Sequence, residues 1–385
     1  MVKRDRGMDS LYVFFTAHFI AIGMSTFAPK FYGEIGLTDG EIGLITAAVA
    51  LLSLLLQPAW GMLADRARYK KAVIALALAG AGLACFLVPA ASGGFLPLLA
   101  VLCLYSALML PANPVANAIA IEYTDGAGRA FGPVRMMGTV GYQVSILATG
   151  FLLPGSLMGL YPFMGIMTLL AALTALLLPN VRGYQHEKRR VPFSSFLKDR
   201  GMLLLFVIAF LANIPHQFNL AFFSKHLGDL GVSNRTTGMI NTFSVILEIP
   251  FLFFADRIMK RRPLWTWLGI GLCAGAARYL LLSVLKAPMA IVLAQLLSIA
   301  HMACFEFFPF VWLGRAAQKE LQASAQSVYQ MITFGVARIA SSLLGGAVAD
   351  ARGIPFVYAL CGLLMLVSGA VFLGPVKRLA KKHLQ

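Results

Sequence analysis

Glu248, Arg278, His301 and Glu306 are ionisable side chains that lie inside long apolar runs of this sequence, where a charge is costly. Hydrocarbon surroundings disfavour the ionised form of a carboxylic acid unless a cation lies beside it, so such an acid can bind and release a proton near neutral pH. If Glu248 pairs with Arg278, protonation of the acid would release the cation. The alternative is a static buried ion pair that only fixes the register of two helices.

Glu306 is a second candidate proton site. His301 lies five residues before it, which places the two side chains about 140° apart around an ideal α-helix. We therefore expect no direct contact between His301 and Glu306.

The sequence contains twelve apolar blocks, each long enough to cross a bilayer as a helix, and these residues lie in three of them. Of the 385 residues, 59% are hydrophobic and only 12% are charged, about half the charged share of an average soluble domain. The first block has no small-residue cleavage signature behind it, so we interpret it as a retained span and not as a signal peptide. The blocks, here called spans one to twelve, cover residues 11–31, 40–63, 72–91, 95–120, 132–153, 158–178, 202–224, 236–255, 264–285, 288–312, 323–348 and 355–374.

The formal net charge of +16 raises the question of nucleic-acid binding, and the positions of the lysines and arginines answer it. Most of them fall at the two ends of the chain and in the loops that follow every second span. This asymmetry is the positive-inside rule, and it predicts a cytoplasmic location for both termini. No basic patch is left that membrane topology does not explain, so we exclude nucleic acid as a partner. The opposite face carries Lys30, Lys225, Arg235, Lys286 and Arg352.

The sequence shows no enzyme signature. It contains no H-E-x-x-H pair, no phosphate-binding glycine loop and no nucleophile elbow. Its five cysteines lie within the spans without a C-x-x-C pair, and we expect them to be small packing residues. These observations predict that the chain is not an enzyme and that it carries neither a metal nor a cofactor.

One stretch of the sequence occurs twice. Residues 30–45 read KFYGEIGLTDGEIGLI, and residues 225–240 read KHLGDLGVSNRTTGMI, with glycines, acids and hydroxyl residues at matching positions. A second match follows, because GMLADRARYKK begins at residue 61 and LFFADRIMKRR begins at residue 252. Two matches in the same order indicate a duplicated six-helix unit, so we predict halves at 1–178 and 202–385 joined by a cytoplasmic linker at 179–201. Lys30 and Lys225, which open the two copies, are either interface anchors or parts of an outer gate.

At these residues the chain resembles the major facilitator superfamily. The resemblance implies an all-α polytopic membrane protein with twelve transmembrane helices in two pseudo-symmetric six-helix bundles. It also implies signature loops whose contacts bias one of two conformations. The sequence departs from the usual pattern at Arg68 and Tyr69, where the family usually has Gly and then Arg. The matching signature-loop residues are Gly61, Asp65 and Arg66, and in the second copy Asp256 and Arg257.

Within the superfamily, the segment FGPVRMMGTVGYQVS at 131–145, together with Glu248, Arg278 and Glu306, is similar to a smaller group of permeases. This group includes phenylpropionate permeases, nucleoside–proton symporters and lactose permease, and the similarity implies proton-coupled uptake. An export-type signature is absent, since Gly132-Pro133 is followed by Val134 and Arg135. The arginine that many members carry in span four is also missing. Arg135 itself either binds an anionic group or only obeys the inside rule.

Polar side chains within the spans indicate which helices line a cavity, because in lipid such groups face a bundle interior or water. They concentrate in spans one, four, seven and ten, the set that lines the cavity in the superfamily. For the asparagines the alternative is interhelical hydrogen bonding, and for His18, among aromatic residues, it is simple packing. The predicted substrate contacts are His18, Asn113, Asn117, Asn213, His216, Gln217, Asn219 and Gln295.

The sequence therefore predicts a multi-pass plasma-membrane transporter that moves a small organic solute by alternating access, in symport with protons. Its expected partners are the solute, the proton and the lipid bilayer, and it is expected to be a monomer. The predicted proton-coupling residues are Glu248, Arg278, His301 and Glu306. A proton-antiport exporter, a transport-inactive receptor or assembly protein, and an intramembrane enzyme remain the alternatives.

Overall fold

The structure is a computed structural model that describes residues 5–180, 200–246, 257–316 and 322–382. The regular structure within these ranges is helical, and two short segments are π-helical. Glu248, Asp256 and most of the predicted linker lie outside the described residues, as does the side chain of Asp65. The α-helices are Arg6–Met24, Ala28–Glu34, Asp39–Arg66, Lys70–Ala91, Phe95–Met109, Ala112–Gly126, Gly132–Leu152, Leu160–Ala175, Arg200–Asp229, Asn234–Ile246, Leu264–Val284, Pro288–Gln295, Ser298–His301, Phe308–Ala316, Gln322–Gln330, Ala337–Arg352 and Ile354–Lys382.

Each of the twelve predicted spans coincides with one of these helices or with a short series of them. Within the described ranges, nine helical stretches are long and apolar enough to cross a membrane. The other three spans are Gly132–Leu152, the shorter apolar helix Leu160–Ala175, and Asn234–Ile246, which is the described part of span eight. The helical membrane architecture expected from the hydropathy pattern is therefore present in the structure.

Proline interrupts span four, as Pro111 and Pro114 suggest. The helix Phe95–Met109 ends just before Pro111, and a second helix begins at Ala112. Proline has no amide hydrogen to donate and its ring crowds the preceding turn, so an α-helix is broken or kinked at such a position. Asn113 and Asn117 both lie in the helix that begins directly after this interruption.

Two π-helical segments, Met302–Phe307 in span ten and Met331–Val336 in span eleven, interrupt the regular helices. A π-turn uses i→i+5 hydrogen bonds, and such segments are frequent at functional sites. Side chains from other spans bind the carbonyl groups of both segments. The Tyr329 hydroxyl donates to the Phe305 carbonyl, and the Gln217 amide donates to the Thr333 carbonyl at 3.2 Å.

The chain forms two compact units, and each unit takes a short segment from the other half of the sequence. Unit 1 contains Met1–Leu37, Ala48–Glu187 and Leu227–Thr242, whereas unit 2 contains Thr38–Ala47, Lys188–His226 and Phe243–Gln385. Inside unit 1, span one packs on spans five and six, and span three packs on spans four and six. Inside unit 2, span nine packs on span twelve. The predicted boundaries of the duplicated halves remain a prediction.

The exchanged segments hold matching glycines at close contacts. A Cβ atom on Gly43 would lie 2.2 Å from the Ser342 carbonyl oxygen of span eleven, within unit 2. A Cβ atom on Gly238 would lie 3.0 Å from the Ile146 carbonyl oxygen of span five, within unit 1. Because these neighbours are backbone atoms, a side chain at either position has little room. The two copies of the repeat therefore make equivalent helix contacts.

The repeated stretch also has a local structural reason. Gly36 and Gly231 both adopt positive φ, at 88° and 73°, a conformation that glycine reaches without the steric penalty of a Cβ atom. Thr38 then caps the next helix through the Glu41 amide at 3.2 Å, and Ser233 caps its counterpart through the Thr236 amide at 3.2 Å. The matching residues thus end one helix and begin the next.

We expect Gly43→Ala to lower the unfolding temperature of the purified protein and Gly61→Ala to raise it. Both glycines belong to the helix Asp39–Arg66, but a Cβ atom at Gly61 meets nothing within 4 Å. Overpacking at Gly43 should cost about 1–3 kcal/mol, whereas alanine at Gly61 should contribute about 0.5–1 kcal/mol through helix propensity. Thermal unfolding of both variants in the same detergent measures the difference, and a Gly43→Ala variant at least as stable as Gly61→Ala would contradict the packing at Gly43.

Candidate functional site

Unit 2 contains a cluster of two imidazoles and one carboxylate. His216 of span seven and His301 of span ten stack with ring centroids 4.2 Å apart and an interplanar angle of 12°. The His216 Nε2 atom lies 3.4 Å from the Glu306 Oε1 atom. His301 is buried, and neither of its ring nitrogens has a hydrogen-bond partner among the described residues. The three side chains together can hold a proton in more than one position.

The π-segment of span ten explains how His301 and Glu306 come together. No hydrogen bond joins His301 to Glu306 among the described residues, since both ring nitrogens of His301 lack a partner there, but ligand atoms of His216, His301 and Glu306 all lie within 4.8 Å of one another. Residues Met302–Phe307 form the π-turn, and an i→i+5 hydrogen-bond pattern carries five residues through nearly one full turn. The calculation for an ideal α-helix therefore does not apply to this segment.

The same three residues have the chemical character of metal ligands, but their orientation does not suit a metal ion. A tetrahedral site needs lone pairs that converge on one point. The lone pairs of the two imidazoles lie in ring planes that are only 12° from parallel. One imidazole beside one carboxylate is instead the arrangement of a proton that passes between two bases.

Arg278 lies close to this cluster and is held by an amide. Its Nε atom donates to the Gln295 Oε1 atom at 2.9 Å, and its Nη2 atom donates to the same oxygen. Only 3% of Arg278 is exposed, and its guanidinium lies over the ring of Tyr279 with its carbon 5.3 Å from the centroid. Gln295, a predicted substrate contact, is thus engaged by Arg278 in this conformation. The predicted pair of Arg278 with Glu248 falls outside the described residues.

The other predicted contacts of span seven are buried and bonded within unit 2. Asn213 donates to the Ala209 carbonyl at 2.8 Å, and Gln217 donates to a carbonyl of the π-segment in span eleven, as described above. Asn219 accepts a hydrogen bond from the Tyr358 hydroxyl at 3.1 Å. Tyr358 stacks on Tyr279 with centroids 6.2 Å apart. The sequence interpretation did not identify these two tyrosines, although a phenol hydroxyl within an apolar span normally has a hydrogen-bond partner.

Unit 1 contains a second polar cluster, in spans one, four and five. The Asn117 amide donates to the Asn113 Oδ1 atom at 3.2 Å, and the Arg135 Nη1 atom approaches the same oxygen at 3.5 Å. The Arg135 guanidinium also lies over the Phe19 ring, with its carbon 4.8 Å from the centroid. Arg135 is exposed, and no acidic side chain of the described residues forms an ion pair with it. The guanidinium therefore presents free N–H donors beside an aromatic ring.

His18 lies next to this cluster, packed among aromatic rings. Its ring stacks on Phe14 with centroids 5.5 Å apart and meets Phe19 edge to face at 5.5 Å. Only 1% of His18 is exposed, and both ring nitrogens lack a partner among the described residues. The aromatic contacts hold the His18 ring in place. Its two ring nitrogens are available for the predicted contact with the solute.

The signature loop after span two is described only in part. Arg66 and Arg257 are exposed at corresponding helix ends, and Gly61 has open space where a Cβ atom would lie. Lys70 pairs with Glu122 at 3.6 Å. Lys71 donates to the Leu176 and Leu178 carbonyls at 3.0 and 3.1 Å. The two lysines of this loop therefore make contacts within unit 1 in addition to any role in membrane topology.

Lys30 and Lys225, which open the two copies of the repeat, bind the opposite copy. The Lys30 Nζ atom donates to the Val232 carbonyl at 2.6 Å within unit 1. The Lys225 Nζ atom lies 2.9 Å from the Asp39 Oδ1 atom within unit 2, and both side chains are only 13% exposed. Neither lysine extends freely to an interface, so the arrangement favours the gate over the anchor.

The chain matches a known family over most of its length. The sequence profile described as "MFS_1 like family" matches residues 7–360. A maltose permease of Geobacillus stearothermophilus is 25% identical over 90% of this chain and 88% of its own length. A putative nucleoside transporter of Escherichia coli, YegT, is 27% identical over 82% of this chain and 78% of its own length. These relatives are transporters or permeases and not enzymes.

Solved structures show the same fold. The crystal structure of the nucleoside transporter NupG superimposes with a TM-score of 0.83 over 96% of this chain and 99% of that chain, at 19% sequence identity. At this identity the likeness concerns the fold. It confirms the two-bundle helical architecture that the hydropathy pattern and the internal repeat predict.

Proposed function

The chain belongs to the MFS_1 like family of major facilitator transporters, and from this premise we propose that it takes up a small organic solute together with protons by alternating access. It is a multi-pass membrane transporter. The direction of transport, the coupling ion and the solute form the proposal, which the following observations support.

The observation that carries proton coupling is the cluster of His216, His301 and Glu306 beside Arg278. An acid inside a transmembrane bundle is costly, and such residues commonly mark proton relays. Here the carboxylate faces an imidazole at 3.4 Å, so a proton can move between two groups without a large rearrangement. Glu248, which lies outside the described residues, is retained from the sequence interpretation as a further coupling residue.

The proposed solute is a small molecule rich in hydroxyl or carbonyl groups, such as a nucleoside or a sugar. Arg135, Asn113 and Asn117 offer N–H donors and amide acceptors in unit 1, and Phe19 offers a ring face on which a planar or apolar surface can pack. The names of the maltose permease and of the nucleoside transporter YegT agree with this class. We also propose His18, Asn213, His216, Gln217, Asn219 and Gln295 as contacts in at least one conformation of the transport cycle.

The distribution of positive charge supports the proposed location. We propose that the chain lies in the plasma membrane as a monomer, with both termini and the linker at 179–201 on the cytoplasmic side. Lys30 and Lys225 would then lie on the outer side, together with both copies of the repeat. Their bonds with the opposite copy would be made in one conformation and broken in the other.

Transport by the purified protein in liposomes tests the proposal. With a more acidic exterior, we expect accumulation of maltose, a nucleoside or an aromatic acid above that of protein-free liposomes, and loss of accumulation with a protonophore. Glu248→Gln should remove gradient-driven accumulation while exchange of labelled for unlabelled solute continues. Uptake that ignores the pH gradient would refute proton coupling, and a Glu248→Gln variant with intact coupling would refute the proton role of Glu248. Solute movement out of loaded vesicles against its gradient would identify an exporter instead.

A further inference from the structure

A group of four cations lies at one end of span nine, in unit 2. Arg257, Lys260, Arg261 and Arg262 occur within six residues, and all four are exposed. No acidic side chain in the described part of the chain forms an ion pair with any of them. We call residues 257–262 the basic loop. Among the described residues, no negative charge neutralises the basic loop.

Three of the four tryptophans of the chain lie beside the basic loop. Trp265 and Trp312 approach each other with centroids 6.1 Å apart. Trp267 packs on Phe308 and donates from its Nε1 atom to the Met259 carbonyl within the basic loop at 3.4 Å. Tryptophan is enriched where a membrane meets water, because its ring is amphipathic. The three rings therefore place the basic loop at headgroup depth.

The basic loop leads directly into a helix start that has no side-chain cap. The helix Leu264–Val284 is 21 residues long and begins after Pro263, and no side chain caps its first turn. The first amides of a helix lack acceptors within the helix, and together with the helix dipole they favour a phosphate group. Arginines without an acidic partner among the described residues, a helix start without a side-chain cap and an aromatic belt thus occur at the same point.

The corresponding loop of the first half shows that membrane topology alone does not produce this arrangement. In the loop at 66–71, Lys70 pairs with Glu122 and Lys71 binds two carbonyl groups. No tryptophan follows that loop at the start of span three, where the helix begins with Lys70. Arg66 and Arg68 of the first loop are also exposed, and no acidic side chain of the described residues pairs with them. The inside rule accounts for positive charge in both loops, but it does not account for tryptophans beside only one of them.

We propose that the basic loop and the adjacent tryptophans bind the phosphate headgroup of an anionic phospholipid. The arginines contact the phosphate oxygens, the amides at the start of span nine complete the site, and Trp265 and Trp312 pack against the upper acyl chains. Clusters of Lys and Arg next to a transmembrane helix attract anionic lipids. The site is separate from the proposed proton and solute sites, and it does not depend on them.

Quenching of tryptophan fluorescence by brominated lipids tests the site in the full-length protein. Brominated phosphatidylglycerol should quench more strongly than brominated phosphatidylcholine at equal mole fraction, with an apparent lipid preference of at least roughly tenfold. The double variant Arg261→Gln/Arg262→Gln should lose most of this preference. The matched control Arg68→Gln/Arg129→Gln removes two exposed arginines elsewhere and should retain it.

Equal quenching of the wild-type protein by the two lipids would overturn the proposal, and so would an equal loss of preference in the two double variants. Unchanged quenching by phosphatidylcholine shows that each variant is folded. If Arg261→Gln/Arg262→Gln does not fold, a salt titration of the wild-type protein decides, because screening should reduce the preference for the anionic lipid. Loss of the preference when soluble glycerol phosphate is added would identify a free phosphate ester as the ligand and refute the lipid assignment.

Discussion

Glu306→Gln is expected to abolish proton-driven accumulation of solute while the protein remains folded. Glutamine has nearly the same size and shape as glutamate, but it cannot bind a transferable proton or carry the charge that faces the His216 Nε2 atom at 3.4 Å. Without a proton that the carboxylate can bind and release, the pH gradient should no longer drive uptake, and accumulation should fall to the level of protein-free liposomes. Liposomes with an imposed pH gradient measure this loss.

The control for this prediction is Glu122→Gln. Glu122 is a glutamate at the end of span four, and its carboxylate is 41% exposed and 3.6 Å from Lys70. Glu122 lies in unit 1 and takes no part in the cluster of His216, His301 and Glu306, so proton-driven transport by this variant should stay close to that of the wild type. Exchange of labelled for unlabelled solute should survive in both variants. Full gradient-driven uptake by Glu306→Gln would exclude this carboxylate from proton coupling.

Lys225→Met is expected to have the largest effect on stability of any single substitution in the repeated segments. It would leave the Asp39 carboxylate, only 13% exposed, without the ammonium group that lies 2.9 Å from it. Removing one partner of a buried ion pair costs about 3–5 kcal/mol. The unfolding temperature should fall, and a cysteine placed at Ser342, buried in this structure, should react faster with a maleimide in a background without native cysteines.

A double-mutant cycle separates the ion pair from general damage. Asp39→Asn together with Lys225→Met should recover much of the loss, because no uncompensated charge remains. Lys30→Met is the matched comparison in the other copy. Lys30 binds a neutral carbonyl, so its loss should cost about 1.5–3 kcal/mol. If the two methionine variants are equally stable and the maleimide rates are unchanged, the two lysines have no gating role.

The sequence predicts most of the fold because hydropathy and the residues that end or begin helices act locally. Apolar blocks of about 20 residues correspond to spans in lipid, and Pro111 marks the break in span four. The repeat around Gly36 and Gly231 is readable for the same reason, since positive φ and a Thr or Ser cap are properties of short segments. The exchange of segments between the units cannot be predicted from the sequence, because it depends on which helices pack together.

The site was less predictable, because its geometry depends on two departures from the regular α-helix. No glycine or proline within Met302–Phe307 signals a π-turn, so the sequence does not show that ligand atoms of His301 and Glu306 lie within 4.8 Å of each other. Gln295 can be identified as polar and buried, but its bond with Arg278 depends on the packing of span nine against span ten. Tyr279 and Tyr358 resemble ordinary apolar residues of their spans until their contacts are known.

The exchanged segments also determine when each unit can complete its packing during translation. Unit 1 ends its main segment at Glu187 but needs Leu227–Thr242, so the ribosome must add about 55 more residues, which takes roughly 3–11 s. The segment at 38–47 waits longer, because its partner Gly346 in span eleven follows about 300 residues later, or roughly 15–60 s. During that interval the start of span two has been synthesised without its final neighbour. Unit 1 can therefore complete its packing only after Thr242 has been translated, and unit 2 only after most of the second half has been translated.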